Sequence, residues 1–191
     1  IFRLSPDFSD WRLALSYDGE PHGLAFAADG QLIATDYRHG LMLIDLAAGD
    51  AKPLCNRFNT ENFRGLSDLA IDRDGSIWFT DSGRTSLSDP TGRLFRLDAD
   101  QSLRCVLDNI PYPNGIAFSA DGAWVYLAAT RANAVWRLMR KAPESGKPMV
   151  GLYVQLSGGL GPDGLTVAPT GELAVVHGQA GQVWIFDQLG Q

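Results

Sequence analysis

The sequence predicts an all-β fold, a β-propeller built from four-stranded antiparallel blades with about four blades present. Three observations carry this. Four self-similar segments recur, His22–Gly30, Ser67–Gly75, Asn114–Gly122 and Asp163–Gly171, with closing glycines 45, 47 and 49 residues apart. A period of roughly 40–50 residues is that of a propeller blade. Three of the segments close on Asp-Gly (Asp29-Gly30, Asp74-Gly75, Asp121-Gly122) and the fourth on Thr170-Gly171. Asp-Gly is a strong hairpin signal, because glycine tolerates the positive φ of a tight turn. No segment sustains a 3.6-residue apolar period, so almost no helix is expected.

Each unit then resolves into strands. The repeated segment itself is the first, short and apolar. A second follows the turn at Gln31–Thr35, Ser76–Thr80, Trp124–Ala128 and Glu172–Val176. The third falls at Leu41–Asp45, Arg93–Leu97, Val135–Leu138 and Gln182–Phe186. Weaker fourth strands fit Lys52–Leu54, Leu103–Leu107 and Leu152–Gln155. The blades are expected at about 21–55, 65–108, 113–156 and 162–191, within one propeller region over 1–191. Residues 1–5 resemble a third strand and are expected to be the tail of a preceding blade. The last unit stops where its fourth strand should begin. Two open edges would then need pairing, which makes self-association through blade edges an expectation.

Bulk composition narrows the function. The chain has 191 residues, 45% hydrophobic and 20% charged, with 21 glycines and 10 prolines, which suits many short strands joined by turns. Net charge is −6 and no basic stripe exists to neutralise phosphates, so no nucleic-acid partner is expected. No apolar run approaches the ~20 residues that span a bilayer, so no membrane partner is expected either. Two cysteines, Cys55 and Cys105, suggest neither a disulfide framework nor a zinc site. The chain opens in what reads as mid-strand, as if inside a longer protein, and leaves its location open.

The residues heading the four segments are His22, Ser67, Asn114 and Asp163. Innermost strands of a propeller line its central channel, so equivalent positions converge near the axis. Asn and Asp offer hard oxygen ligands suited to Ca²⁺ or Mg²⁺. Pro21, Pro113 and Pro162 stiffen the approach to three of the four. The competing reading is that such residues only cap strand ends or bond turn backbone. His177 ends a second strand, where it would shuttle protons at a channel mouth or simply bond backbone. The loop Gly83–Thr91, with Arg84, is a candidate substrate lid or a plain surface excursion. Arg131 lies similarly on the next blade, placed to meet an anionic group or to stand solvated.

Three stretches, Gly65–Asp81 (GLSDLAIDRDGSIWFTD), Tyr112–Ser119 (YPNGIAFS) and Gly161–Val167 (GPDGLTV), resemble the SMP-30/gluconolactonase family, and the resemblance covers nearly the whole chain. It implies a six-bladed propeller acting as a metal-dependent hydrolase that opens a lactone or similar ester. It implies Asn114 and Asp163 as metal ligands, with Asp163 also general base or nucleophile. The implied cation is Ca²⁺ first, with Zn²⁺, Mg²⁺ or Mn²⁺ as alternatives, and the implied partner is a small-molecule substrate. Ser67 stands where the family commonly has asparagine. The family's glutamate ligand comes from a blade that the repeat count places before residue 1. Ser67, His22, Arg84, Arg131 and His177 are the expected substrate contacts. Two other functions stay open, a non-catalytic binding platform and a metal-independent, strictosidine-synthase-like propeller.

Overall fold

The computed structural model describes residues 1–141 and 148–191. Four antiparallel sheets follow one another along the chain as propeller blades, each meandering through neighbouring strands. The first blade holds β3 (Pro21–Phe26), β4 (Leu32–Asp36), β5 (Gly40–Asp45) and β6 (Asp50–Cys55). The second holds β9 (Leu66–Ile71), β10 (Ile77–Asp81), β11 (Gly92–Leu97) and β12 (Leu103–Ile110). The third holds β13 (Pro113–Phe118), β14 (Trp124–Ala129), β15 (Ala134–Met139) and β16 (Val150–Gln155). The link between its last two strands includes residues 142–147, which lie outside the described residues. The last sheet has three strands, β17 (Gly161–Val167), β18 (Leu173–Gly178) and β19 (Gln182–Phe186).

The four turn glycines behave as their chemistry requires. Gly30, Gly75, Gly122 and Gly171 have φ of 85°, 83°, 72° and 108°, and each N–H donates to the carbonyl three residues back. In three units the turn aspartate also accepts a backbone N–H two residues on (Gln31, Ser76 and Ala123). The fourth unit has Thr170 instead, whose hydroxyl reaches Glu172.

Two short hairpins add to the strands read from sequence. β1 (Phe2–Leu4) pairs antiparallel with β2 (Trp11–Leu13), a three-residue partner too short to show a period. A second small hairpin, β7 (Arg57–Phe58) with β8 (Glu61–Asn62), occupies the link between the first two blades. The sole helical turn among the described residues is a 3₁₀ turn at Thr130–Ala132. No described helix is long and apolar enough to cross a membrane. Neither cysteine forms a disulfide.

The core lies in slabs between blades. β4 shows why: all five of its residues are buried, because alternate side chains feed different slabs. Leu32 and Ala34 pack with Leu15, Met42 and Ile44. Ile33 packs the other way, with Leu66, Phe79 and Phe95 of the second blade. Trp78 and Leu94 meet Ile116, Val125 and Leu127 between the second and third blades, and Tyr126 and Val135 meet Leu173 and Val175 beyond them. Stacked this way, the inner strands β3, β9, β13 and β17 run side by side, each against the next.

Candidate active site

The inner-strand contacts put the polar column in one place. The Ser67 hydroxyl donates to Asn114 Oδ1 at 2.8 Å, and Asn114 Nδ2 donates to Asp163 Oδ1 at 2.6 Å. Three residues from three blades thus form one hydrogen-bonded chain, though 47 and 49 positions separate them. Ser67 is buried, Asn114 half-buried and Asp163 exposed, so the chain runs from the interior to an end that solvent reaches. His22 does not join it; its ring stacks on Tyr37, with centroids 5.8 Å apart.

Hydroxyl groups on neighbouring blades set the direction of these side chains. Thr35 Oγ1 donates to the Ser67 carbonyl at 2.7 Å, and Thr80 Oγ1 to the Asn114 carbonyl at 2.9 Å. Ser82 Oγ donates to the Pro113 carbonyl at 2.6 Å and Thr130 Oγ1 to the Pro162 carbonyl at 2.7 Å. Each clip ties the end of one blade's second strand to the next blade's first strand. Such bonds contribute about 0.5–1.5 kcal/mol each, and their greater effect here is to fix carbonyl direction and so aim the attached side chain. The loops entering the inner strands are anchored by buried carboxylates. Asp36 accepts from the Glu20 N–H and Tyr17 hydroxyl, each at 2.8 Å. Asp81 accepts from the Arg64 and Gly65 N–H groups and pairs with Arg93 at 2.6 Å.

Asp68 belongs to this centre and sequence reasoning passed over it. It follows Ser67 at the position where the sister segments carry Gly23, Gly115 and Gly164. Its carboxylate accepts the Ile116 N–H at 3.1 Å from the next blade and faces Gly23 on the preceding one. Burial raises the Asp68 carboxyl above the ordinary carboxylate range; the Ile116 and Leu69 N–H groups oppose that, and the Asp163 charge adds to it. The available signal was the single acid in a column of glycines.

A cavity of about 630 Å³ is lined by Glu20, His22, Tyr37, Gly83, Arg84, Thr85, Ser86, Tyr112 and Arg131, and so takes in His22, which heads the first segment, and Tyr112, two residues before Asn114. That volume suits a small-molecule ligand, for which about 300–1,000 Å³ is usual. His22, Arg84 and Arg131, each singled out from sequence, therefore share one opening. Tyr112, just before Pro113-Asn114, has φ of 60°, a left-handed conformation costing a bulky residue about 1–3 kcal/mol. Thr85 Oγ1 accepts the Tyr112 N–H, and the Tyr112 carbonyl accepts the Thr130 N–H. The strain sets its ring at the cavity wall, under Arg131. His177 is elsewhere. It is 2% exposed, its Nδ1 accepts the Trp184 indole N–H, and its Nε2 meets the Gly158 carbonyl. It does not line this cavity. In the loop 83–91 the residues from Gly83 to Ser86 face the cavity, while Leu87 to Asp89 turn outward over a Ser86–Asp89 backbone pair.

The oxygens of Ser67, Asn114 and Asp163 fit a hard divalent cation in kind, being hydroxyl, amide and carboxylate without nitrogen or sulfur. Asp163 brings the one carboxylate of that chain, with Asp68 nearby as a second negative group. Among the described residues no group of three His, Cys, Asp or Glu side chains gathers as a metal cluster.

Comparison with known proteins identifies the family. The SMP-30/Gluconolactonase/LRE-like region family matches residues 2–191. The chain is 31% identical over 191 aligned positions to the protein STRICTOSIDINE SYNTHASE-LIKE 10 of Arabidopsis thaliana, covering 88% of this chain and 50% of that one. It is 30% identical over 125 positions to the lactonohydrolase oryL of Aspergillus oryzae, covering 61% of this chain and 29% of that one. A solved gluconolactonase from Xanthomonas campestris superposes with a TM-score of 0.84 at 27% identity, covering 97% of this chain and 64% of that one. The chain thus spans half or less of these curated relatives and under two thirds of the solved structure.

Proposed function

Because the chain belongs to the SMP-30/Gluconolactonase/LRE-like family, we propose that it opens a lactone or similar ester by hydrolysis, with Asp163 as base or nucleophile. The observation that carries the reading is the direct contact of Asn114 with Asp163, with Tyr112, two residues before Asn114, lining a ligand-sized cavity. Asn114 and Asp163 would hold a divalent cation, Ca²⁺ first, with Zn²⁺, Mg²⁺ or Mn²⁺ as alternatives, and remaining positions would fall to water. Bound there, such an ion supplies Lewis-acid polarisation of the ester carbonyl.

The chain's own residues do the rest. Asp163, at the solvent-reaching end, takes a proton from water as the water oxygen bonds to the carbonyl carbon. The ring C–O bond then breaks, and Asp163 passes the proton to the leaving oxygen, which ends as a hydroxyl on the same product. Ser67 holds the Asn114 amide in orientation, and the cavity wall of His22, Tyr37, Tyr112, Arg84 and Arg131 receives the substrate. His177 takes no part in this scheme.

The test is hydrolysis of lactones followed by pH-stat, with Asp163→Asn and Asn114→Ala beside the parent chain, before and after chelation. Removing a general base is expected to lower kcat by about 100- to 10,000-fold. Unchanged rates in Asp163→Asn would sink the assignment. A second reading has one observation behind it, the 31% identity to a strictosidine-synthase-like relative. Condensation of an amine with an aldehyde, indifferent to chelation and without lactone turnover, would select it.

A further inference from the structure

We propose that the substrate carries an anionic group, which Arg84 and Arg131 bind at the cavity rim while its ester carbonyl sits at the Asp163 end. The inference rests on the lactonase reading for the identity of the reacting group, but the anion subsite stands on geometry of its own. The protein has a net charge of −6, yet this opening is lined by two guanidinium groups and one carboxylate. That carboxylate, Glu20, is already committed, accepting from Arg38 Nε at 2.9 Å.

The arginines themselves are uncommitted. Elsewhere Arg38, Arg93, Arg96, Arg104 and Arg140 each hold a carboxylate at 2.6–3.2 Å. Among the described residues no ion pair engages Arg84 or Arg131. Arg131 is nonetheless placed, its guanidinium carbon 5.3 Å from the centroid of the Tyr112 ring. Tyr112 is in turn locked by its strained backbone and by bonds to Thr85 and Thr130. A cation held over an aromatic face keeps its N–H edge free for an incoming acceptor. Arg84 reaches the same opening from Gly83–Ser86, where Thr85 is buried and bonded to Ser82 and Tyr112. A rigid base under each guanidinium lowers the ordering cost of binding.

Charge therefore differs between the inner-strand chain and the cavity lining. The inner-strand chain ends in the Asp163 carboxylate, with Asp68 near it, while the cavity lining carries the two cationic groups. A neutral lactone would use only the Asp163 end. A lactone bearing a carboxylate or a phosphate on the carbon chain away from the ester would use both ends, and would be oriented by them. The bond geometry favours planar, two-oxygen acceptors, since a guanidinium presents paired N–H donors.

The matched probes are D-glucono-1,4-lactone and D-glucaro-1,4-lactone, which differ by an alcohol against a carboxylate at the far carbon, with 6-phosphogluconolactone as the phosphate arm. Rates are read as kcat/KM, for the parent chain and for Arg84→Gln, Arg131→Gln and the double variant. Binding of the open-chain products gluconate and glucarate is read in parallel by calorimetry at low and high salt. The parent is expected to prefer an anionic probe over the neutral one by about 10- to 100-fold, the range of one to two charge-assisted bonds. In the double variant that ratio is expected to fall towards one, chiefly through KM. Arg→Lys at either site is expected to recover part of it. A parent ratio near one, or a ratio that survives the double variant, overturns the proposal. If no lactone is opened but glucarate outbinds gluconate in an arginine-dependent way, the anion subsite stands and the lactonase reading falls. If the phosphate arm alone shows the preference, the anion is a phosphate rather than a carboxylate.

Discussion

Asp68 stands where three sister strands carry glycine, and its charge sits badly in the folded chain. Burial raises its carboxyl above the value of about 3.9 expected in the unfolded chain, so the folded state holds this proton more tightly. The stability contributed by that proton is fully present below the unfolded value and is lost as pH rises through the folded one. Asp68→Asn is therefore expected to gain stability relative to the parent as pH rises from about 4, then level off. Urea titrations across that range, with chelator present, give the difference; a gap that does not change with pH would remove the argument. The position also shows how far residue-level reading reached. Asn114 and Asp163 were legible because each heads a repeated segment. Asp68 was not, because its meaning lies in the Ile116 N–H and the Gly23 backbone of neighbouring blades. His177 carried a real signal, a histidine at a strand end, but the signal cannot tell a channel mouth from a buried bond to Trp184 and Gly158.

At Gly115 the inner strands approach too closely to admit a side chain. A Cβ there would lie 2.3 Å from the Asp163 carbonyl oxygen and 2.7 Å from the Leu165 nitrogen, both rigid backbone atoms. At Gly164, the equivalent position one blade on, a Cβ would meet nothing within 4 Å. Gly115→Ala is accordingly expected to cost about 1–3 kcal/mol and to part β13 from β17, while Gly164→Ala stays within about 0.5 kcal/mol. Urea midpoints of the two variants decide it, and equal losses would show that the contact is softer than described. Strand and turn placement was legible at this scale, since turn glycine and period-2 pattern are local. The pairing of β1 with β2 was not, because a strand of three residues holds too little pattern to announce itself.

Blades cover one another's faces, and the faces without a neighbour keep their apolar side chains in solvent. Leu24 and Phe26 on β3 are 47% and 67% exposed, and Val183 and Ile185 on β19 are each 61% exposed. Apolar patches of this kind drive association. The 191-residue chain is expected to self-associate as its concentration rises, and Phe26→Ser with Ile185→Ser to weaken that association. Sedimentation velocity over a concentration series reads it; a monomer at every concentration would contradict the expectation.

The sequence by itself determined the blade repeat, its turns, its strands and the family, because each is encoded within about 50 consecutive residues. It also supplied the polar column, as a set of equivalent positions. Only the tertiary structure decided which members meet. Closure of one blade on the next brought Ser67, Asn114 and Asp163 into a single hydrogen-bonded chain, left His22 against Tyr37, and set Arg84 and Arg131 around one opening. Contacts between blades depend on how far each sheet turns against its neighbour, and that angle follows from the packed slabs of side chains between them rather than from any local run of residues.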